Sequence, residues 1–159
     1  MSRVSEYPNV GRFLSQRAKE DPSQIFAYFK DAKITLEDLD EKSNSVANFL
    51  RRLGIERGKK AAIISHTNIE YLISEFGIFK SGAVCVPMNS LLKAHEISYL
   101  IENSGVEYAF VHRDCEEEFL KATKDRNIKY RSSAFFLAYS FLSREASWPG
   151  SPSFTSLSF

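Results

Sequence analysis

Between Lys60 and Tyr130 the chain repeats one pattern, a short apolar run followed by an amphipathic stretch at helical spacing. The runs are Ala61–Ile64, Ala83–Val86, Tyr108–Val111 and one that starts at Ile128–Tyr130. After the first, Thr67-x-x-Glu70 reads as a capping box, and Ile69, Leu72, Ile73, Phe76 and Phe79 form the buried face of a helix ending at Gly82. His95–Ser104 carries Ile97, Leu100 and Ile101 at helical spacing and stops at Gly105. Asp114-x-x-Glu117 is placed to cap a further helix through Phe119 and Leu120 to Lys124. Runs that are apolar on both faces belong to parallel strands covered by crossover helices, and those crossovers are right-handed. The chain is therefore expected to be α/β, with a partial doubly wound, mostly parallel sheet. Pro87 is expected to end the second strand, and the strand order is not contained in the rhythm.

Upstream, Asn9 can cap a short helix carrying Val10, Phe13, Leu14 and Arg17, with Pro22 beyond its end. Ile25–Lys30 is aromatic and β-branched, and Ile34 begins a second extended piece after Asp31-Ala32, which predicts a hairpin. Thr35 then opens the best helix of the chain. Glu37 and Asp38 sit in its first turn, and Arg51 and Arg52 in its last, before Gly54, so the charges complement the helix dipole. Leu36, Leu39, Val46, Ala47, Leu50 and Leu53 make its apolar stripe.

The rhythm breaks at Arg131. From there to Phe159 Ser and Phe supply about half of the residues, and no helical or strand period is sustained. The chain thus divides into residues 1–130 as the folded part and 131–159 as a Ser/Phe-rich tail. The tail is expected to come from a shifted reading frame or an artefact of the clone, against a genuine, weakly ordered tail.

Composition excludes several function classes. Lys+Arg number 21 and Asp+Glu 20, so no global charge draws the chain to nucleic acid or to an anionic membrane. Ala134–Leu142, the longest apolar run, is far short of the about 20 residues that a membrane helix needs. MSRVSEYPNV lacks the apolar core of a secretory signal, so a cytoplasmic location is expected. Cys85 and Cys115 are no CxxC pair and read as two reduced thiols.

Chemistry-bearing motifs are sparse. Neither GxxxxGK[ST] nor GxGxxG occurs, and no Gly/Ser/Thr-rich run is present to wrap a phosphate. His66, His95 and His112 have no metal-ligand spacing with one another or with the cysteines, and read as surface or cap residues. Glu116-Glu117-Glu118 reads as dipole complementation in the first turn of a helix, and Lys59-Lys60 as a solvated edge.

Phe79–Asn89, FKSGAVCVPMN, accounts for itself as a helix–strand junction. It also resembles the second core motif of the AMP-forming acyl-activating enzymes, the superfamily of acyl-CoA synthetases, adenylation domains and luciferases. Ile34–Leu39, ITLEDL, is similar to the first core motif of that family. Ser43-Asn44-x-Val46-Ala47-x-x-Leu50, Leu53-Gly54-Ile55-x-x-Gly58 and Asn68-x-Glu70 resemble the family's sequence after that motif. Pro87–Lys93, with Glu96, Tyr99 and Asn103-Ser104-Gly105, resembles the acyl-CoA synthetase branch rather than the peptide-synthetase branch. The resemblance runs from about Asn9 to about Tyr130.

That resemblance implies a two-step parent reaction: a carboxylate, such as a fatty acid, attacks the α-phosphate of ATP with Mg²⁺, and coenzyme A then takes the acyl group. It implies that the phosphate loop, the adenine and ribose contacts and the catalytic lysine lie downstream of the matched region. On this reading residues 1–130 are an N-terminal portion of an AMP-binding domain, inactive by itself. No catalytic, cofactor-binding or metal-binding residue is assigned, and ATP, Mg²⁺ and coenzyme A belong to the parent enzyme. Leu91, Leu92 and Tyr99 are weighed as acyl-pocket residues, with a core role preferred. The rival is a non-catalytic interaction module. A part-built sheet is expected to be poorly soluble and to self-associate through its open edge.

Overall fold

A computed structural model describes residues 9–132 of the chain. It opens with α1 (Val10–Glu20), whose first turn is closed by Asn9 Oδ1 accepting from the Arg12 N–H at 2.9 Å. β1 (Ile25–Phe29) and β2 (Ala32–Thr35) form the antiparallel hairpin, turned at Lys30 with φ 52°. Thr35 Oγ1 accepts from the Asp38 N–H at 3.1 Å and starts α2 (Leu36–Arg52), as its position predicts. The buried stripe of α2 includes Ser43, whose hydroxyl is satisfied by donating to the Leu39 carbonyl one turn back.

The repeating unit then builds a four-stranded parallel sheet in the order β4-β3-β5-β6. Its elements are β3 (Lys60–Ile64), α3 (Ile69–Ser81), β4 (Val84–Met88), α4 (Ala94–Ser104), β5 (Tyr108–Val111), α5 (Glu116–Thr123) and β6 (Lys129–Ser132). Alternate strand residues enter two cores. Ala61, Ile63, Tyr108 and Phe110 pack with α1, α2 and α3 on one face. Ala62, Ile64, Ala109 and Val111 pack with Ile97 and Ile101 of α4 and Phe119 of α5 on the other. The sheet is thus covered on both faces, which is why its strands read as continuous apolar runs. The chain steps from β3 to β4 on one side, then crosses back over β3 to place β5 on the other. The strand order therefore reverses direction between β3 and β5.

Three local expectations are corrected. The cap of α3 is Asn68, not Thr67: its Oδ1 accepts from the Tyr71 N–H at 2.7 Å, so the helix begins one residue later. Asp114 does not cap α5. Arg113–Cys115 forms a 3-10 turn first, and His112 Nδ1 accepts from the Asp114 N–H at 3.2 Å. Pro87 does not end β4, which continues to Met88 with Pro87 opposite Ile63. Among the described residues β4 is an edge strand, where a missing N–H costs no ladder bond. The tail, apart from its first two residues in β6, lies outside the described residues.

Candidate functional site

In an open α/β sheet the crevice for ligands lies at the carboxyl ends of the strands, where the strand order reverses. Here that point is the end of β3 beside β5. The pairing runs Ile64↔Val111, and the His112 N–H extends it by donating to the Ile64 carbonyl at 2.7 Å. His66 follows Ile64 by two residues, and His112 follows Val111 directly. Their rings meet edge to face with centroids 5.2 Å apart. The 3-10 turn swings Asp114 into the same place. Its Oδ2 lies 3.6 Å from His66 Nε2 and 3.5 Å from His112 Nδ1. Ser90, beyond β4, brings its Oγ within 3.0 Å of His66 Nδ1. His112 is 24% exposed and His66 49%, so the cluster is open to solvent.

The amino side of the sheet is built differently. Lys80, in the last turn of α3, is buried and donates to Asp40 Oδ1 at 2.6 Å, the Asp40 carbonyl at 2.9 Å and Asn44 Oδ1 at 2.9 Å. Ser15 Oγ donates to the same Asp40 oxygen at 2.6 Å, which ties α1 into the network. Burial pushes the Asp40 carboxyl up, but the Lys80 ammonium and the Ser15 hydroxyl outweigh it and hold the group below the usual carboxylate value. Burial lowers the proton affinity of Lys80, and Asp40 opposes it. An open groove runs beside this network, past Gly11, Arg12, Arg51, Arg57 and Gly82. Gly82 ends α3 in the left-handed conformation at φ 86°, which a side chain rarely adopts. Lys80, Gly82 and Pro87 of the Phe79–Asn89 motif thus each have a packing role: anchor, helix stop and edge-strand residue.

The remaining candidate residues are dispersed. His95 is exposed on α4, away from the two clustered histidines. Leu91 and Tyr99 are 76% and 67% exposed, which overturns the core role expected for them. Leu91 sits in the turn before α4, held by its N–H donating to Asn89 Oδ1 at 2.9 Å, and Tyr99 faces away from the Ile97–Ile101 stripe. Leu92 alone of the three packs on the second core. Glu116, Glu117 and Glu118 occupy the first turn of α5, as expected, and Glu118 also accepts from the Ala94 N–H at 2.8 Å, joining α4 to α5.

Both thiols are free. Burial, reinforced by Glu75, pushes the Cys85 thiol up to about 12, and burial also raises Cys115. Neither is a ready nucleophile.

Spacing along the chain hides the His66–His112–Asp114 group, because its members lie on different strand ends. The legible signal is position: each histidine falls just past the carboxyl end of an apolar run.

The profile of the AMP-binding enzyme family matches residues 14–150. Among curated proteins, the long-chain-fatty-acid–CoA ligase FadD13 of Mycobacterium tuberculosis is 34% identical over 100 residues, which are 61% of this chain and 20% of that protein. Tyrocidine synthase 2 of Brevibacillus parabrevis is 32% identical over 105 residues, 65% of this chain and 3% of that protein. The N-terminal domain of FACL13 from Mycobacterium tuberculosis superposes with a TM-score of 0.75 and 27% identity, covering 92% of this chain and 39% of that one. The chain therefore spans well under half the length of these relatives.

Proposed function

The chain belongs to the AMP-binding enzyme family, and on that premise we propose that it supplies the N-terminal scaffold of an ATP-dependent acyl-CoA ligase and does not by itself activate a carboxylate. The observation that carries this is the superposition on the FACL13 N-terminal domain, with 27% identity over 92% of this chain and 39% of that one. The fatty-acid branch is favoured by FadD13, whose name states a long-chain fatty acid. Similarity to tyrocidine synthase 2 is the observation that favours another branch of the family.

The donor set at the sheet's carboxyl edge does not fit ATP and Mg²⁺. In-line displacement at phosphorus needs positive donors around spreading negative charge. Two imidazoles, a carboxylate and a hydroxyl gather here instead, and the carboxylate would repel a triphosphate. Mg²⁺ prefers an all-oxygen octahedron, which imidazole does not supply. No step of adenylation is therefore assigned to this cluster.

The coding DNA tests the proposal. Beyond the codon for Tyr130, one of its reading frames should continue the strand–helix rhythm into a Ser/Thr/Gly-rich loop ending in Lys-Gly. If no frame does so, both the scaffold reading and the shifted-frame account of the tail fail.

A further inference from the structure

The His66–His112–Asp114 group is the one set of three potential metal donors drawn together among the described residues, with ligand atoms within 4.8 Å of one another. We propose that His66 Nε2, His112 Nδ1 and Asp114 Oδ2 form a site for a divalent cation of the zinc class, completed by water. Such a site is independent of any ligase activity.

Two of the three donor separations match a tetrahedral ion. Bonds of about 2.0–2.1 Å place neighbouring donors about 3.4 Å apart. The two nitrogen–oxygen separations are 3.6 Å and 3.5 Å, and both converge on the same carboxylate oxygen. When His66 Nδ1–H donates to Ser90 Oγ, Nε2 keeps its lone pair, 3.6 Å from Asp114 Oδ2. A hydrogen bond of this kind on the far nitrogen fixes the tautomer of a metal-bound histidine. His112 Nδ1 has one lone pair, which accepts from the Asp114 N–H at 3.2 Å, so an ion bound there takes the place of that hydrogen bond and leaves the Asp114 N–H to water.

In the tautomer with His66 Nδ1–H donating to Ser90, His66 Nε2 and Asp114 Oδ2 are two acceptors 3.6 Å apart. Among the described residues the ion-pair contacts of Asp114 are the His66 and His112 rings, with no lysine or arginine. Two imidazoles and one carboxylate with an open position suit zinc or cobalt and do not suit magnesium or calcium. The ion would clamp the end of β3 to the end of β5 where the strand order reverses, with Ser90 bringing in the chain beyond β4.

The test titrates the untagged, metal-free full chain with Co²⁺, followed by absorbance, and then with Zn²⁺ against a chromophoric chelator. His66→Gln and Asp114→Asn remove ligands at exposed positions, and His95→Gln is the control. Circular dichroism verifies that each variant is folded. The expected result is one equivalent bound with the visible bands of a four-coordinate nitrogen/oxygen site. Each ligand variant should weaken binding at least about tenfold, since even outer partners of a metal ligand are worth that much, and the control should leave it unchanged. A thermal midpoint that rises with Zn²⁺ in the wild type and the His95→Gln control, but not in the two ligand variants, supports the clamp. Three results overturn the proposal: no saturable binding by about 100 μM metal, binding that survives both ligand substitutions, or the near-ultraviolet thiolate band that would place the ion on Cys85 or Cys115.

Discussion

Lys80 Nζ lies 2.6 Å from Asp40 Oδ1, with 6% and 19% of the two side chains exposed, so a nearly dry ion pair joins the end of α3 to α2. Removing one member of such a pair leaves the other charge buried, at a cost of about 3 kcal/mol. Lys80→Met should lower stability by that amount in urea denaturation. Asp40→Leu with Lys80→Met should recover most of it, because an apolar pair of similar volume needs no desolvation. A loss under about 1 kcal/mol for the single variant would show that the pair does not hold the helices.

The same carboxyl sets an acid limit. Its pKa lies below the ordinary 3.8 in the folded chain, so the unfolded chain takes up the proton first as the pH falls. Its contribution is therefore complete above that value and is lost as the pH drops through the lower folded value. The stability gap between wild type and Asp40→Asn should be constant from pH 5 to 7 and close below pH 3.8. Thermal midpoints across that range check it.

Gly77 lies where α3 crosses α2, and a Cβ there would overlap Val46 Cγ1 and crowd the Ser43 carbonyl. Gly77→Ala should cost about 1–3 kcal/mol by overpacking, although alanine is the better helix former. Calorimetry showing a stabilised variant would mean that the two helices are not in close contact.

Burial that pushes the Cys85 thiol up to about 12 also makes it slow to react. With a thiol-exchange reagent at pH 8, the two cysteines of the native chain should react at least about a hundredfold slower than in denaturant. Equal rates would contradict the shielding of half-buried Cys85 and buried Cys115.

Local physics is the part of the fold that residue order makes legible. Thr35 and Asn9 cap as expected because a side chain needs only its own first turn to do so. The runs at Ala61 and Tyr108 are strands because residues facing two cores must all be apolar. Strand order, and with it the meeting of His66 with His112, depends on how the chain crosses back over β3, which no local pattern encodes. Pro87 departs from expectation for the same reason, since its tolerance depends on β4 being an edge. Leu91 and Tyr99 depart from it because apolar character does not require burial in a short turn or on the outer face of a helix. Asp114 resembles a cap in sequence because the 3-10 turn, which carries it towards the histidines, leaves no mark in residue type.

If this chain is scaffold and not the catalytic apparatus of its family, it should not form an acyl-adenylate. The decisive measurement is pyrophosphate release by the 159-residue chain, with ATP, Mg²⁺, coenzyme A and a panel of carboxylic acids. No release above the level without carboxylate is expected. Sustained, carboxylate-dependent turnover would show that the chain is a catalyst after all.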